Sequence, residues 1–172
     1  MVSRSDVTEG GGALHFSIQE DDLNGPEIAQ LLQFHLDEAA ANTPLDLIHA
    51  LDIERLRAPD ITFWTAWSDG VLVGCGALRA LDAAHGEIKS MHTARLHRGK
   101  GVAARLLEHI ISEARARSYT RISLETGASE AYVPARALYE SFGFAICPPF
   151  ADYPETPNSV CMTRRLLTGS DF

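Results

Sequence analysis

The pattern that most constrains the fold lies between residues 87 and 126, where a β-type run, a glycine-rich loop, an amphipathic helix and a second β-type run follow one another. The helical stretch, residues 101–117, carries apolar residues at the three- and four-residue spacing that places them on one face. A helix that crosses between two strands of one sheet leaves those strands parallel. The sequence therefore predicts an α/β domain with a parallel strand pair at this point.

The segments on either side add further strands and helices. Residues 61–67 and 71–81 are rich in β-branched and aromatic residues, and Asp69-Gly70 between them is typical of a hairpin turn. The other predicted elements are strands at residues 13–19, 144–147 and 159–166 and helices at residues 26–41, 47–58 and 134–141. The predicted order is βααβββαβαββ. With 172 residues, we expect one domain at residues 13–172 after a flexible tail at residues 1–12.

Charge and apolar content argue against several classes of protein. The net charge is −8 with no long basic stripe, which argues against nucleic-acid binding and favours a cationic or amine partner. The longest apolar stretch, residues 71–78, is far shorter than the ~20 residues of a membrane-spanning helix. Three cysteines without CxxC spacing indicate reduced thiols and a cytoplasmic protein. Seven histidines without paired ligand spacing predict no metal site.

The glycine loop, residues 98–103, is the segment that carries chemistry. It precedes the strongest predicted helix, so its backbone N–H groups and the positive end of the helix dipole would form a site for a phosphate or pyrophosphate. A capped helix start beside a solvated basic pair is the simpler interpretation. The loop also satisfies a relaxed dinucleotide fingerprint, Gly99-x-Gly101-x-x-Ala104, with Glu125 as a ribose acceptor. Residues 94–98 separate this motif from the preceding strand, which disfavours an NAD(P)-binding protein.

These residues resemble the GCN5-related N-acetyltransferases (GNAT). The family's cofactor signature, [QR]xxGx[GA], is matched by Arg98, Gly101 and Ala103, and residues 137–144, ALYESFGF, resemble the closing LYexxGF signature. The resemblance covers nearly the whole chain, and residues 124–160 also look like a bacterial branch of loosely described acetyltransferases. It implies the GNAT fold: a mixed, mostly antiparallel sheet of about seven strands, flanked by about four helices, with a splayed parallel strand pair at the cofactor cleft.

The resemblance also implies where acetyl-CoA binds. No metal is expected in the site. The pyrophosphate is expected on backbone N–H groups of the glycine loop, and the pantetheine arm is expected to pair with the preceding strand, where a backbone N–H polarises the thioester carbonyl. Many members carry an asparagine seven residues before the tyrosine of the closing signature, whereas this chain has Tyr132 there. The expected cofactor-binding residues are Met91, His92, Thr93, Arg98, Gly99, Lys100, Gly101, Val102, Ala103, Tyr132 and Ala135.

The implied reaction is direct attack of an amine, from a small molecule or a peptide, on the thioester. Tyr139 occupies the family's general-acid position, and either Glu87 or an ordered water is expected to accept the amine's proton. The acceptor is expected between about residues 41–49 and a late loop whose aromatic and acidic residues suit an amine, namely Phe150, Asp152, Tyr153 and Glu155. A non-catalytic acyl-CoA sensor is the alternative from another class. A monomer and a homodimer both remain open.

Overall fold

A computed structural model describes residues 15–42 and 52–167. Within them the strands are β1 (Ser17–Glu20), β2 (Ile61–Ser68), β3 (Val71–Ala80), β4 (His85–Thr93), β5 (Arg121–Gly127), β6 (Ala145–Cys147) and β7 (Ser159–Arg165). The α-helices are α1 (Pro26–Asn42), α2 (Ile53–Leu56), α3 (Val102–Ala116) and α4 (Val133–Ser141). The order predicted from the sequence is confirmed.

All seven strands form one sheet in the order β1-β2-β3-β4-β5-β7-β6. The pair β4 and β5, which α3 connects, is parallel, and the other neighbours are antiparallel. The mixed, mostly antiparallel sheet is therefore confirmed. A single parallel pair among the described strands is unlike the two parallel halves of a dinucleotide-binding domain, so the fold gives the NAD(P) alternative no support.

Several element boundaries differ from the prediction. β1 begins at Ser17 and includes Glu20, because its pairs with β2 run from Ser17 opposite Trp67 to Glu20 opposite Trp64. β4 begins at His85 because His85 and Gly86 already pair with β5. The second helix is described only at Ile53–Leu56, and the earlier part of the predicted helix, like residues 1–12, lies outside the described residues.

Clusters of buried apolar residues lie on both faces of the sheet. On one face, Leu107 and Ile110 of α3 and Tyr139 of α4 pack against strand residues such as Ile88 and Ile122. On the other face, α1 and α2 cover β2 and β3, as shown by the cluster that contains Ile28, Leu32, Leu56, Phe63 and Ala77. Because side chains alternate along a strand, Glu87 and Lys89 lie on the face opposite Ile88 and α3.

The parallel pair stops before either strand ends. Pairing between β4 and β5 runs from His85 opposite Arg121 to Ile88 opposite Leu124, although β4 continues to Thr93 and β5 to Gly127. Ser90 interrupts β4 with a φ of 54°, and the pairing of β3 with β4 shifts register at the same place. The ends of the two strands are thus released from each other, which agrees with the expected splayed pair and leaves main-chain groups of β4 unpaired toward β5.

Candidate active site

A cleft of about 550 Å³ opens where β4 and β5 stop pairing, and we call it the central cleft. α1, the end of β4, the glycine loop, the start of α3 and the chain around α4 all contribute to its walls. The expected site residues that line it are Met91, His92, Thr93, Arg98, Gly99, Gly101, Val102, Ala103, Tyr132, Ala135 and Tyr139. The structure therefore brings most of the expected cofactor residues and the expected acid together, whereas Lys100 and Glu87 are not among the lining residues.

The glycine loop enters α3 without a side-chain cap. Gly99 and Gly101 have φ of +74° and +85°, in the left-handed region that glycine adopts at little cost, and Gly101 is the N-cap of α3. Within residues 15–42 and 52–167, no atom beyond the adjoining residues lies within 4 Å of where a Cβ would stand on either glycine. The first turn of α3 contains no acidic residue. The loop therefore presents bare backbone and a helix dipole to the cleft, an arrangement that fits a pyrophosphate.

Arg98 ties the glycine loop to α1. Its Nη2 lies 2.7 Å from Oε2 of Glu38, and its Nε donates a hydrogen bond to the carbonyl of Thr93 at 3.4 Å. Both Arg98 and Glu38 line the central cleft. The guanidinium also lowers the pKa of Glu38 against the opposing effect of burial. The pair holds α1 across one side of the cleft and keeps a carboxylate beside the glycine loop.

The bulge in β4 is held by close packing with β3. Cys75 donates a hydrogen bond from Sγ to the carbonyl of Ser90 at 3.3 Å. A Cβ on Gly76 would stand 2.6 Å from Sδ of Met91, so a larger residue there would displace this side chain. These contacts turn Met91 toward α3 and fix the end of β4 at the edge of the cleft.

Tyr139 of α4 is one of the residues that line the central cleft. Its side chain is 7% exposed, and its ring packs edge-on against Phe144 with 5.9 Å between centroids. Burial raises the pKa of Tyr139 to about 12. The hydroxyl therefore keeps its proton at neutral pH and can donate it to a developing anion.

Glu87 lies in a buried ion pair on the face of the sheet opposite α3. It is 1% exposed, its Oε1 is 3.0 Å from Nζ of Lys89, and it accepts a short hydrogen bond from the hydroxyl of Tyr153. Lys89 also donates to the Tyr153 hydroxyl at 2.7 Å, and Nη1 of Arg79 is 4.0 Å from Glu87 Oε2. Burial and the Glu87 carboxylate raise the pKa of Tyr153. Glu87 therefore lies among two cationic side chains and a phenol hydroxyl.

The expected acceptor loop, residues 148–158, contributes two aromatic side chains to this face. Phe150 packs against Tyr153 with ring centroids 5.1 Å apart and against His85 at 6.0 Å. Asp152 and Glu155 are exposed on the same loop. The other expected acceptor segment, residues 41–49, lies almost wholly outside the described residues. The structure thus separates the four expected acceptor residues into an aromatic pair over the sheet and an exposed acidic pair.

Two histidines that line the central cleft contact each other, and the sequence did not predict this contact. Nδ1 of His35 lies 3.1 Å from Nδ1 of His92, and both residues line the cleft. The sequence places His92 at the cofactor only through its backbone, and His35 stands on α1 without a motif around it.

No group of three or more metal-ligating side chains is found within residues 15–42 and 52–167. In the same ranges no helix is long and apolar enough to cross a membrane.

Comparison with known proteins agrees with this geometry. The model of the acetyltransferase (GNAT) family matches residues 26–144. The chain is 55% identical over 149 residues to the uncharacterized N-acetyltransferase YsnE of Bacillus subtilis, covering 87% of this chain and 99% of that protein. It is 43% identical to the uncharacterized N-acetyltransferase YedL of Escherichia coli, with 91% and 99% covered. A GNAT family acetyltransferase of Elizabethkingia anophelis with acetyl-CoA bound shares the fold, with a TM-score of 0.61 and 19% identity over 88% and 98% of the chains.

Proposed function

Since this chain belongs to the acetyltransferase (GNAT) family and is an acyltransferase, we propose that it transfers the acetyl group of acetyl-CoA directly to the amine of a small molecule or peptide in a ternary complex. The observation that carries the proposal is the central cleft itself. Its walls include an uncapped glycine loop at the start of α3, the end of β4 that no longer pairs with β5, and Tyr139, whose hydroxyl is protonated. These are the parts that a phosphate-bearing thioester and its leaving thiolate require.

The residues of the glycine loop would hold the pyrophosphate of acetyl-CoA. Arg98, Gly99, Gly101, Val102 and Ala103 line the cleft there, and Lys100 adds positive charge at the exposed side of the loop. Main-chain groups of Met91, His92 and Thr93 would bind the pantetheine arm, since β4 no longer pairs with β5 at these positions. Tyr132 and Ala135 would cover it from the start of α4. When bound, acetyl-CoA supplies an activated acyl group.

The chemistry needs one proton donor and one proton acceptor. As the amine nitrogen bonds to the acetyl carbon and the carbon–sulfur bond breaks, the departing thiolate takes the proton of the Tyr139 hydroxyl. For the amine's own proton, the sequence proposes Glu87 or an ordered water. A water bridge would be needed for Glu87, because this residue is buried beside Lys89 and Tyr153 and is not among the residues that line the cleft.

We propose that the amine acceptor binds on the face of the sheet that carries Glu87. Phe150 and Tyr153 would cover an acceptor there, and the exposed carboxylates of Asp152 and Glu155 would attract its ammonium form. The three free cysteines, none of them in a disulfide, are in keeping with a cytoplasmic protein.

We expect thiol release from acetyl-CoA to depend on an added amine. Direct attack forms no acetyl-enzyme, so the purified protein without an amine should release no burst of CoA. With a panel of amino acids, polyamines, aryl amines and short peptides, one class should give steady release together with an acetylated product of mass increased by one acetyl group. Colorimetric thiol detection and mass spectrometry provide the two readouts.

Two results would count against this function. A stoichiometric burst of CoA in the absence of an amine would indicate a covalent intermediate. Binding of acetyl-CoA without turnover on any amine of the panel would favour the alternative, a non-catalytic acyl-CoA sensor.

A further inference from the structure

Two cysteines stand opposite each other at the base of the expected acceptor loop, residues 148–158. Cys147, the last residue of β6, pairs in register with Cys161 of β7. Both are free thiols, and Cys161 is only 6% exposed whereas Cys147 is partly exposed. Directly opposite residues of antiparallel strands have Cα atoms about 4.5 or 5.5 Å apart, within the range of about 4.4 to 6.8 Å that disulfides span. A bond between the two sulfurs therefore requires no rearrangement of the strands.

The cysteine pair lies on the face of the sheet that carries Glu87. Directly opposite residues project from the same face, and Cys161 stands between Cys147 of β6 and Glu125 of β5. Burial raises the pKa of Cys161, and the Cys147 thiol and the carboxylates of Glu125 and Glu87 act in the same direction. A hydrogen bond from the backbone of Phe150 acts against them. The buried thiol is therefore in contact with the acceptor loop and near the proposed acceptor side.

The chain between the two cysteines contains the whole acceptor loop, which includes Phe150 and Tyr153. β6 is three residues long and, among the described strands, pairs with β7 alone. A strand with so few hydrogen bonds separates from its neighbour at low cost, and the loop would then move with it. A bond from Cys147 to Cys161 would prevent this separation and fix both ends of the loop.

We propose that Cys147 and Cys161 are an oxidation site, at which hydrogen peroxide forms a reversible disulfide that ties the acceptor loop at its base. Cys147, the more exposed thiol, attacks peroxide first: a sulfur–oxygen bond forms, the oxygen–oxygen bond breaks and one water leaves. The Cys161 sulfur then attacks the sulfenic acid, so that the sulfur–sulfur bond forms and the sulfur–oxygen bond breaks. The departing hydroxide takes the Cys161 proton and becomes a second water. Two thiols are thereby oxidised by two electrons, and a dithiol reductant reverses the step by exchange.

Disulfide mapping of the peroxide-treated protein tests the site. Burial raises the pKa of both thiols, so the reaction is run at about pH 8.5, where more thiolate is present. After the remaining thiols are alkylated, a glutamate-specific protease cuts the loop at Glu155 and leaves its two halves joined only by the disulfide. We expect the joined pair in treated wild type and its loss after dithiothreitol.

Cysteine variants provide the controls for the mapping. Cys147→Ser should give no joined pair under the same treatment. Cys75→Ser should give it as wild type does, because Cys75 lies on β3, which β4 and β5 separate from β7 in the sheet. Sulfinic or sulfonic acid at Cys147 beside a free Cys161 thiol would overturn the inference, as would a disulfide between two chains.

Stability and kinetics measure what the disulfide does to the loop. Closing a loop of about 15 residues restricts the unfolded chain, so the oxidised form should melt about 5 °C or more above the reduced form. Neither cysteine lines the central cleft, so the Kd for acetyl-CoA should not change. The effect on the acceptor rests on the proposed acetyl transfer: since a tied loop moves less, kcat/KM for the amine should fall several-fold and recover with dithiothreitol.

The outcomes separate this inference from the proposed function. A mapped disulfide that leaves both Tm and kcat/KM for the amine unchanged would overturn the claim that it ties the loop. A wild type without amine-dependent thiol release would instead contradict the proposed function, while the mapping and the rise in Tm would still decide the oxidation site.

Discussion

Tyr139→Phe is expected to lower kcat for acetyl transfer about 10²- to 10³-fold while leaving KM for acetyl-CoA within about twofold. The substitution removes a single hydroxyl. Without it, the thiolate must leave unprotonated or take a proton from water. A free thiolate is unfavourable here because burial destabilises charged groups, as the raised pKa of Tyr139 indicates. The ring keeps its edge-on contact with Phe144, so the fold should be retained. Steady-state thiol release and a thermal melt measure both quantities.

The matched control is Tyr119→Phe, because Tyr119 has the same 7% exposure and belongs to the same core. It packs over Gly86, at the end of β4 away from the central cleft, so its hydroxyl can be deleted without touching the proposed chemistry. We expect kcat of this variant to match that of wild type. A Tyr139→Phe enzyme within threefold of wild-type kcat would show that the thiolate needs no proton from this residue.

Gly101→Ala is expected to weaken acetyl-CoA binding at least tenfold. A methyl group at the N-cap of α3 would occupy the open space that the structure leaves above the backbone, where the pyrophosphate is proposed to sit. The left-handed φ of +85° adds strain of about 1 kcal/mol, which should lower Tm by roughly 3 °C in a chain of this size. Calorimetric titration with acetyl-CoA gives the change in Kd.

Gly70→Ala separates the strain from the steric effect. Gly70 lies in the β2–β3 hairpin, is not among the residues that line the central cleft and has a φ of +77°. Among the described residues, no atom beyond its chain neighbours lies within 4 Å of an added Cβ, so it has the same backbone cost without a part in the cleft. Its Tm should fall by a similar amount while its Kd for acetyl-CoA stays at the wild-type value. Equal losses of affinity in the two variants would mean that the effect is one of stability and not of the loop.

Local patterns were sufficient to predict the order of the elements. The apolar stripe of α3 and the Asp69-Gly70 turn act within a few residues, and the structure confirms both. The starts of β1 and β4 could not be predicted, because they depend on which residues find partners in neighbouring strands. The strand residue Glu20 pairs opposite Trp64, which lies 44 positions later in the chain.

For the site, too, local motifs could be predicted and contacts between distant residues could not. The glycine loop and Tyr139 are recognisable because their motifs are short and contiguous, and the structure places them in one cleft. The contact of His35 with His92 joins residues 57 positions apart, and that of Glu87 with Tyr153 joins residues 66 apart. No local pattern records such pairs. His92 was predicted at the cofactor through its backbone, and its side-chain environment emerged only when α1 was packed against β4.

Thermal melts of the purified protein titrated in parallel with acetyl-CoA, CoA and NADH show which of these cofactors the folded protein binds. A ligand present at ~100 times its Kd stabilises the folded state by about 2.7 kcal/mol, which corresponds to a rise of several degrees. We predict that rise with acetyl-CoA and with CoA, a smaller rise in Gly101→Ala and no rise with NADH. A rise with NADH and none with acetyl-CoA would contradict it.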